Sequence, residues 1–490
     1  MITVYEVLAI IGAVVALCYF VPYFYIAAFL TQLGCVVSII VSQDSADYKV
    51  PWLIVVFTIP IGGFMLYLIF YSRKLKKRLV RRLDSLKKYK CEKSCSLTFS
   101  ALEETDKCAF SSSRLLVSTA NAKIFSDTAC RYFPSGELLM VALLEDLKKA
   151  ESFIYMEYFI IEEGVFWNSI LEILKEKASQ GVEIKVLYDD IGCMSTLPGN
   201  YSKRLAKLGI EACQFSRIKG QADSEFNNRS HRKITVIDGK IGYTGGVNIA
   251  DEYINQKSVH GHWKDIGIRL KGQAVWGLTE LFVTDFGINL QSVEFNKELY
   301  PKHQTNEQGY VVPFGDGPRP IYKHRVTKLL LQTMLYNATE SAYLVSPYFI
   351  VDNELCQSIE AAALRGVQVT LLVPHVPDKK VIFNMTKSFY PRLLDCGVKI
   401  FEYTPGFIHA KLYVFDGKYA LIGTSNLDYR SLVHHFENGV WIYGSAVIED
   451  MLKDISLTLE KSREITRNDI STTLFAKFLR LFTKLFAPLL

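Results

Sequence analysis

Two stretches of this 490-residue chain carry the same chemically useful groups at the same spacing. HRKITVIDGKIGYTGGVNIAD begins at His231 and HAKLYVFDGKYALIGTSNLDY begins at His409. Aligned without a gap, they match His231 with His409, Lys233 with Lys411, Asp238 with Asp416, Gly245 with Gly423 and Asn248 with Asn426. On a strand, residues two apart share a face, so each His projects together with its Lys. Ile234 and Val236, like Leu412 and Val414, fall on the opposite face and suit packing under helices. The Asp-Gly that follows is a hairpin signal, which accounts for Asp238 and Asp416 but leaves the His and Lys unexplained.

If the two copies pack about a pseudo-twofold axis, the constellation suits phosphodiester chemistry. Lys233 and Lys411 can hold the non-bridging oxygens and stabilise charge that grows in the transition state. A neutral imidazole attacks phosphorus to give a phosphohistidine, while a protonated one donates to the leaving alcohol and later accepts a proton from the incoming nucleophile. Histidine serves both roles because its ordinary pKa lies near neutrality. The scheme requires neither metal nor cofactor, and no carboxylate cluster or Gly-rich phosphate loop stands at suitable spacing. Asp238 and Asp416 complete the motif set and fit holding it together better than performing chemistry. Asn248 and Asn426 follow glycine-containing turns and can either bond the phosphate or cap the turn. The repeat departs from symmetry where Gly246 meets Thr424 and Val247 meets Ser425, which makes Ser425 a one-sided polar contact.

The elements that must position these groups repeat as well. FIYMEYFI (153–160) leads into a helical segment ending at Gly181 and then VEIKVLYDD; AYLVSPYFI (342–350) leads into one ending at Gly366 and then VQVTLLVP. A β-rich run, a helix stopped by Gly and another β-rich run make a βαβ unit. The fold expected is α/β: two pseudo-symmetric domains with mixed sheets packed around one active site, over 116–310 and 311–465.

Hydrophobic residues make up 49% of the chain and charged residues 22%, with the apolar ones crowded at the start. Three apolar stretches, 4–20, 23–41 and 52–70, approach the length of a bilayer crossing, and Pro22 separates the first two. They predict N-terminal transmembrane helices over 1–72, the first two alternatively forming a re-entrant hairpin. A signal peptide fits poorly, since there is no positive n-region or small-residue cleavage site. The net charge of +6 is concentrated after these stretches, in a linker at 73–115 that includes Lys74, Lys76, Lys77, Arg78, Arg81 and Arg82. Such a run reads as a cytoplasmic juxtamembrane anchor on anionic lipid, with the acidic loop 43–49 on the far side. The localisation expected is therefore the cell membrane, multi-pass, with the catalytic domains in the cytoplasm. Ten scattered cysteines read as reduced thiols, and the lone C-x3-C of Cys91 and Cys95 lacks a second ligand pair. The end of the chain, 466–490, reads as a basic amphipathic helix, either on the membrane or packed against the body.

The paired H-x-K-x4-D motifs resemble the phospholipase D superfamily. The flanking text is similar to bacterial cardiolipin synthases: YKVPWLIVVFTIPIGGFMLYLIF, NNRSHRKITVIDG, SPYFIVDNEL, HFEN and a terminal FAPLL. The resemblance runs along nearly the whole chain. It implies phospholipase D-type domains and phosphatidyl transfer from one phosphatidylglycerol to the terminal hydroxyl of another, releasing glycerol. It also implies His231 as nucleophile and His409 as acid/base, although the near symmetry of the motifs leaves the order open. Asp265 in WKDIG and Glu437 in FENGV resemble the acidic residues that orient the histidines in this superfamily, with structural roles as the other reading.

The partners expected are phospholipid and membrane, with no nucleic acid, because no aromatic-basic interleaving suggests a groove for it. A hydrolase or head-group exchanger of the same superfamily is the alternative enzyme, and a non-catalytic lipid-binding anchor the alternative outside catalysis. His260, His262, His303, His324, His375, His434 and His435 lack a repeat partner or a Lys at the diagnostic offset and read as surface or core residues.

Overall fold

The computed structural model describes residues 4–20, 22–42, 46–68, 96–216, 227–289, 307–470 and 473. The basic run, Cys91 and Cys95, His303 and the amphipathic stretch 474–486 lie outside these residues. The first half supplies β1 (Thr128–Phe133), β2 (Phe153–Tyr158), β3 (Glu183–Asp189), β4 (Glu211–Phe215), β5 (Lys233–Ile237), β6 (Ile241–Gly245), β7 (His262–Lys264) and β8 (Gly267–Gly272). The second supplies β9 (Tyr310–Asp316), β10 (Ser341–Val345), β11 (Phe349–Ile350), β12 (Gln368–Pro374), β13 (Lys399–Tyr403), β14 (Gly406–Ile408), β15 (Leu412–Phe415), β16 (Tyr419–Gly423), β17 (Leu427–Asp428), β18 (Glu437–Tyr443) and β19 (Ser462–Ile465).

The two large sheets repeat one topology. The first runs β1-β8-β6-β5-β2-β3-β4; the second runs β9-β18-β16-β15-β10-β12-β13, with β19 added at its edge. Directions repeat too. β2, β3 and β4 are parallel, as are β10, β12 and β13, while the motif hairpins β5–β6 and β15–β16 join antiparallel. The hairpins meet their neighbours at matching depth, Ile154 opposite Ile237 and Ala342 opposite Phe415. The sheets are mixed, as the sequence predicts.

Both strand–helix–strand units are present, with helices Val165–Ser179 and Asn353–Leu364. Gly181 and Gly366 stop them at φ of +86° and +96°, a conformation that a side chain would strain. The second helix starts under Asp352, whose carboxylate accepts from Leu355 N at 3.0 Å.

One shared core joins the halves. Ile234 and Val236 of β5 and Leu412 and Val414 of β15 pack in the same cluster, with Phe282 and Phe286 from helix Val275–Asn289 and Ile448 and Met451 from helix Val447–Glu460. Separate clusters fill the outer faces, around Met156, Trp167 and Leu174 on the first sheet and Leu330, Ile359 and Leu371 on the second. Residues 96–120, which the sequence leaves as a polar linker running into the first domain, form two helices instead. Their Leu102, Ala109 and Leu116 pack under the second sheet.

Ahead of this body lie helices Val4–Phe20, Pro22–Val41, Ala46–Thr58 and Pro60–Leu66. Among the described residues no helix is long and apolar enough to cross a membrane. The third apolar stretch is broken before Pro60, which takes a first-turn position where its missing amide costs nothing. Val36, Ile39, Trp52 and Val56 pack together, while Ile26, Phe29, Leu33, Val37 and Ile40 are exposed. The acidic end of this hairpin departs from the expected topology, because it touches the catalytic body rather than facing away. Asp47 accepts from the Asn353 amide at 2.6 Å, and the Tyr48 ring lies 5.8 Å from that of His434. A helix N-terminus presents unpaired amides that attract a carboxylate, which accounts for the contact.

Candidate active site

Each histidine is delivered by a backbone exchange between the halves. Ahead of β5, His231 N donates to Phe436 O at 2.8 Å and Phe436 N to Arg229 O at 2.8 Å. Ahead of β15, β14 runs parallel to β7 and His409 N donates to Lys264 O at 2.7 Å. The strand leading into each His thus lies beside the strand leading into the acidic residue of the opposite half.

The carboxylates therefore cross over. His231 Nδ1 is 3.0 Å from Glu437 Oε2, and His409 Nδ1 is 2.6 Å from Asp265 Oδ2. A carboxylate that accepts the Nδ1 proton fixes the tautomer and leaves Nε2 free for chemistry. Lys233 Nζ donates to His231 O at 2.7 Å, and Lys411 Nζ donates to His409 O while lying 2.8 Å from His409 Nδ1. All six groups are buried.

Burial governs their protonation. It pushes His231 down to about 3, with the Glu437 charge opposing it and the Lys233 charge adding to it. His409 is driven well below the usual imidazole range by burial and by the charges of Lys411 and Lys233. Lys233 falls to about 7 and Lys411 to about 8, again through burial. The carboxylates diverge. Burial raises Asp265 to about 6 against the pull of Lys411. Glu437 resists the same burial effect, held well below the usual range by the His231 imidazole it bonds and by His435 beside it.

The lysine shifts carry a testable consequence. Between pH 8 and 9 the two lysines of the empty site have largely lost their protons, and a bound oxyanion favours their charged forms. Tungstate, as a phosphate mimic, is therefore expected to take up about one to two protons on binding and to bind more weakly as pH rises. Calorimetry in buffers of different ionisation enthalpy reads this directly, and proton release would contradict it.

The motif aspartates do not belong with these groups. Asp238 and Asp416 lie at the opposite ends of β5 and β15, about 16 Å of strand from the lysines. Asp238 accepts from the amides of Glu151, Ser152 and Phe153, and Asp416 from those of Thr339, Glu340 and Ser341. Both sit at positive φ, +53° and +49°, in the turn itself. They staple each hairpin to the start of the neighbouring strand. Asp238→Ala is expected to cost about 1–3 kcal/mol of stability through three lost amide hydrogen bonds, two of them exposed, while the folded fraction keeps its turnover per molecule. Thermal denaturation with active-site titration by tungstate separates the two effects.

The remaining sequence candidates divide. Asn248 is bonded to protein at both ends, donating to Tyr253 OH at 2.7 Å and accepting from Ile160 N at 3.1 Å. Asn426 donates to Asp428 at 3.1 Å but keeps its buried Oδ1 without a hydrogen-bond partner. Ser425 Oγ lies 3.4 Å from Thr327 Oγ1. The Gly246/Thr424 asymmetry has a steric cause. A Cβ at Gly246 would overlap Asp265 Oδ1, whereas Thr424 donates its hydroxyl to Glu437 Oε2 at 2.5 Å.

Several groups around the site escape a motif reading. Arg229 binds Asp189 at 3.1 Å, Arg232 binds Asp285 at 2.7 Å, and Ser230 Oγ donates to Glu157 at 2.5 Å, all buried. Tyr253 and Trp263 flank the His409 ring, each with centroids 5.4 Å away. His435, read from sequence as a surface or core residue, has its ring 5.4 Å from that of His231. His231, His435 and Glu437 offer ligand atoms within 4.8 Å of one another, so this trio is where a cation could be held among the described residues.

A twofold α/β body with two His/Lys pairs at its junction, each His held by a carboxylate of the other half, defines an enzyme of phosphodiester transfer. The family described as "Cardiolipin synthase, PLD-like domain" matches residues 143–258 and 331–457, and "Phospholipase_D-nuclease N-terminal" matches 32–70. An uncharacterized protein of Streptococcus mutans is 38% identical over 94% of this chain and 100% of its own. A cardiolipin synthase of Alkalihalophilus pseudofirmus is 32% identical over 90% of this chain and 88% of its own. The crystal structure of phosphatidylserine synthase from Haemophilus influenzae superposes with a TM-score of 0.58 at 15% identity, over 78% of this chain and 100% of that one, and so shares the fold. The chain belongs to the cardiolipin synthase family of phospholipase D-like proteins.

Proposed function

We propose that the chain is a cardiolipin synthase that transfers a phosphatidyl group between two phosphatidylglycerol molecules, with release of glycerol. The observation that carries the mechanism is the crossed pairing of His231 with Glu437 and His409 with Asp265. His231 is the nucleophile: beside an ionised Glu437 its imidazole stays neutral across the working pH range. His409 is the general acid, its ring held at Nδ1 by Asp265, whose carboxyl burial raises to about 6. It protonates the departing glycerol and then accepts the proton of the incoming hydroxyl. Lys233 and Lys411 hold the phosphoryl oxygens. The free amide oxygen of Asn426 supports a contact with a headgroup hydroxyl.

Anchoring at the cell membrane belongs to the same proposal, through the apolar helices of 4–66, with the catalytic domains at the cytoplasmic face. It is supported by the exposed apolar side chains of Pro22–Val41 and by the basic run that follows. The bond from the Asn353 amide to Asp47 supports having the Asp47 end of the hairpin on that same side.

Detergent-solubilised protein given phosphatidylglycerol alone should yield cardiolipin and glycerol in equal amounts by mass spectrometry. Phosphatidic acid in place of cardiolipin would sink the synthase reading and leave a hydrolase.

A further inference from the structure

His435 has no counterpart histidine in the first half. Counting back from the two acidic residues, its place is taken there by Trp263, which flanks His409 as His435 flanks His231. The site therefore has one aromatic end and one polar end.

The polar end is unsatisfied. His435 is 8% exposed, yet neither ring nitrogen has a hydrogen-bond partner. Glu437 bonds His231 through Oε2, while its Oε1 has no partner and lies 3.7 Å from His435 Nδ1, beyond hydrogen-bond length. A buried polar group without a partner is destabilising, so packing alone does not explain a histidine here. Phe159 stands against both imidazoles, at 5.1 Å from His231 and 6.4 Å from His435, with Lys233 Nζ 5.5 Å from its ring. His231, His435 and the Lys233 ammonium thus gather against one ring, that of Phe159.

We propose that His435 is a third catalytic histidine, donating from Nε2 to a non-bridging phosphoryl oxygen while His231 attacks, with its Nδ1 proton directed at Glu437 Oε1. No bond to His435 forms or breaks. It adds a fixed donor to the two lysines. The proposal rests on phosphodiester chemistry at His231 and not on which alcohol finally accepts the group.

The test compares His435→Leu and His435→Asn with the wild-type full-length protein, following consumption of phosphatidylglycerol whatever the product. His435→Leu is expected to lower kcat about 100-fold with little change in KM, and to weaken tungstate about tenfold. Its melting temperature should hold or rise, because an unpartnered buried group has been removed. His435→Asn, which keeps a donor, should recover most of both losses, and it carries the test if the Leu variant fails to fold. Unchanged kcat and tungstate affinity in His435→Leu would overturn the proposal. So would stoichiometric Co2+ binding with visible absorption that disappears in both variants, which would make the trio a metal site. If wild-type protein gives phosphatidic acid, the synthase reading fails while these comparisons still decide the role of His435.

Discussion

His231→Ala and His409→Ala should each reduce turnover of phosphatidylglycerol by at least about 1,000-fold, and a change of leaving group should tell them apart. In the proposed mechanism His409 is needed because glycerol departs as a poor leaving group that must be protonated. A phosphatidyl ester of p-nitrophenol leaves without that help, so His409→Ala should release nitrophenol at an appreciable rate. His231→Ala should release none, since the attacking atom is gone. The reverse pattern would exchange the two roles, which the near symmetry of HRK and HAK permits on sequence grounds. Glu437 and Asp265 break that symmetry in the folded protein: one is held ionised, the other raised to about 6.

The largest stability effect is expected at Arg232. Its guanidinium donates to Asp285 at 2.7 Å and to the backbone oxygen of Glu437 at 3.1 Å, with Tyr322 OH at 3.1 Å and no access to solvent. Arg232→Met leaves Asp285 buried without a counter-charge and should cost about 3–5 kcal/mol in chemical denaturation. The double variant Arg232→Met with Asp285→Leu should recover much of that loss, since a well-packed apolar group can replace a buried ion pair. The second half makes this concrete. Ala410 occupies the position matching Arg232, and Val345 occupies that of Glu157, opposite Leu412 as Glu157 is opposite Ile234. If the double variant is no more stable than the single one, the cluster is not a replaceable ion pair.

What was legible in the sequence follows from what is local. Period-two alternation gives β5 and β15, Asp-Gly gives their turns, and Gly181 and Gly366 give the helix ends, because each depends on a few adjacent residues. The positions of Asp265 and Glu437 were also readable from the superfamily resemblance, but the crossing of their partners was not. That depends on β14 lying beside β7 and on the bridge between Ser230 and Phe436, contacts between segments more than 140 residues apart.

Arg229, Arg232 and Glu157 were missed for a different reason. Charged residues in or just before a strand read as solvent-facing unless their partners are known, and here Asp189 and Asp285 come from distant elements. His435 was passed over because the repeat was the guide and its counterpart is a tryptophan. The polar stretch up to about Ser113 shows little period, and the packing of Leu102, Ala109 and Leu116 under the second sheet depends on that sheet being in place.

The central claim is that both halves build one site in which His231 carries the phosphatidyl group. The most direct measurement is to mix the protein briefly with phosphatidylglycerol, quench in base, digest it, and search by mass spectrometry for a phosphatidyl adduct on the peptide containing His231. That adduct is expected in wild-type protein and should be absent from His231→Ala. An adduct confined to the His409 peptide, or turnover with His231 replaced, would contradict it.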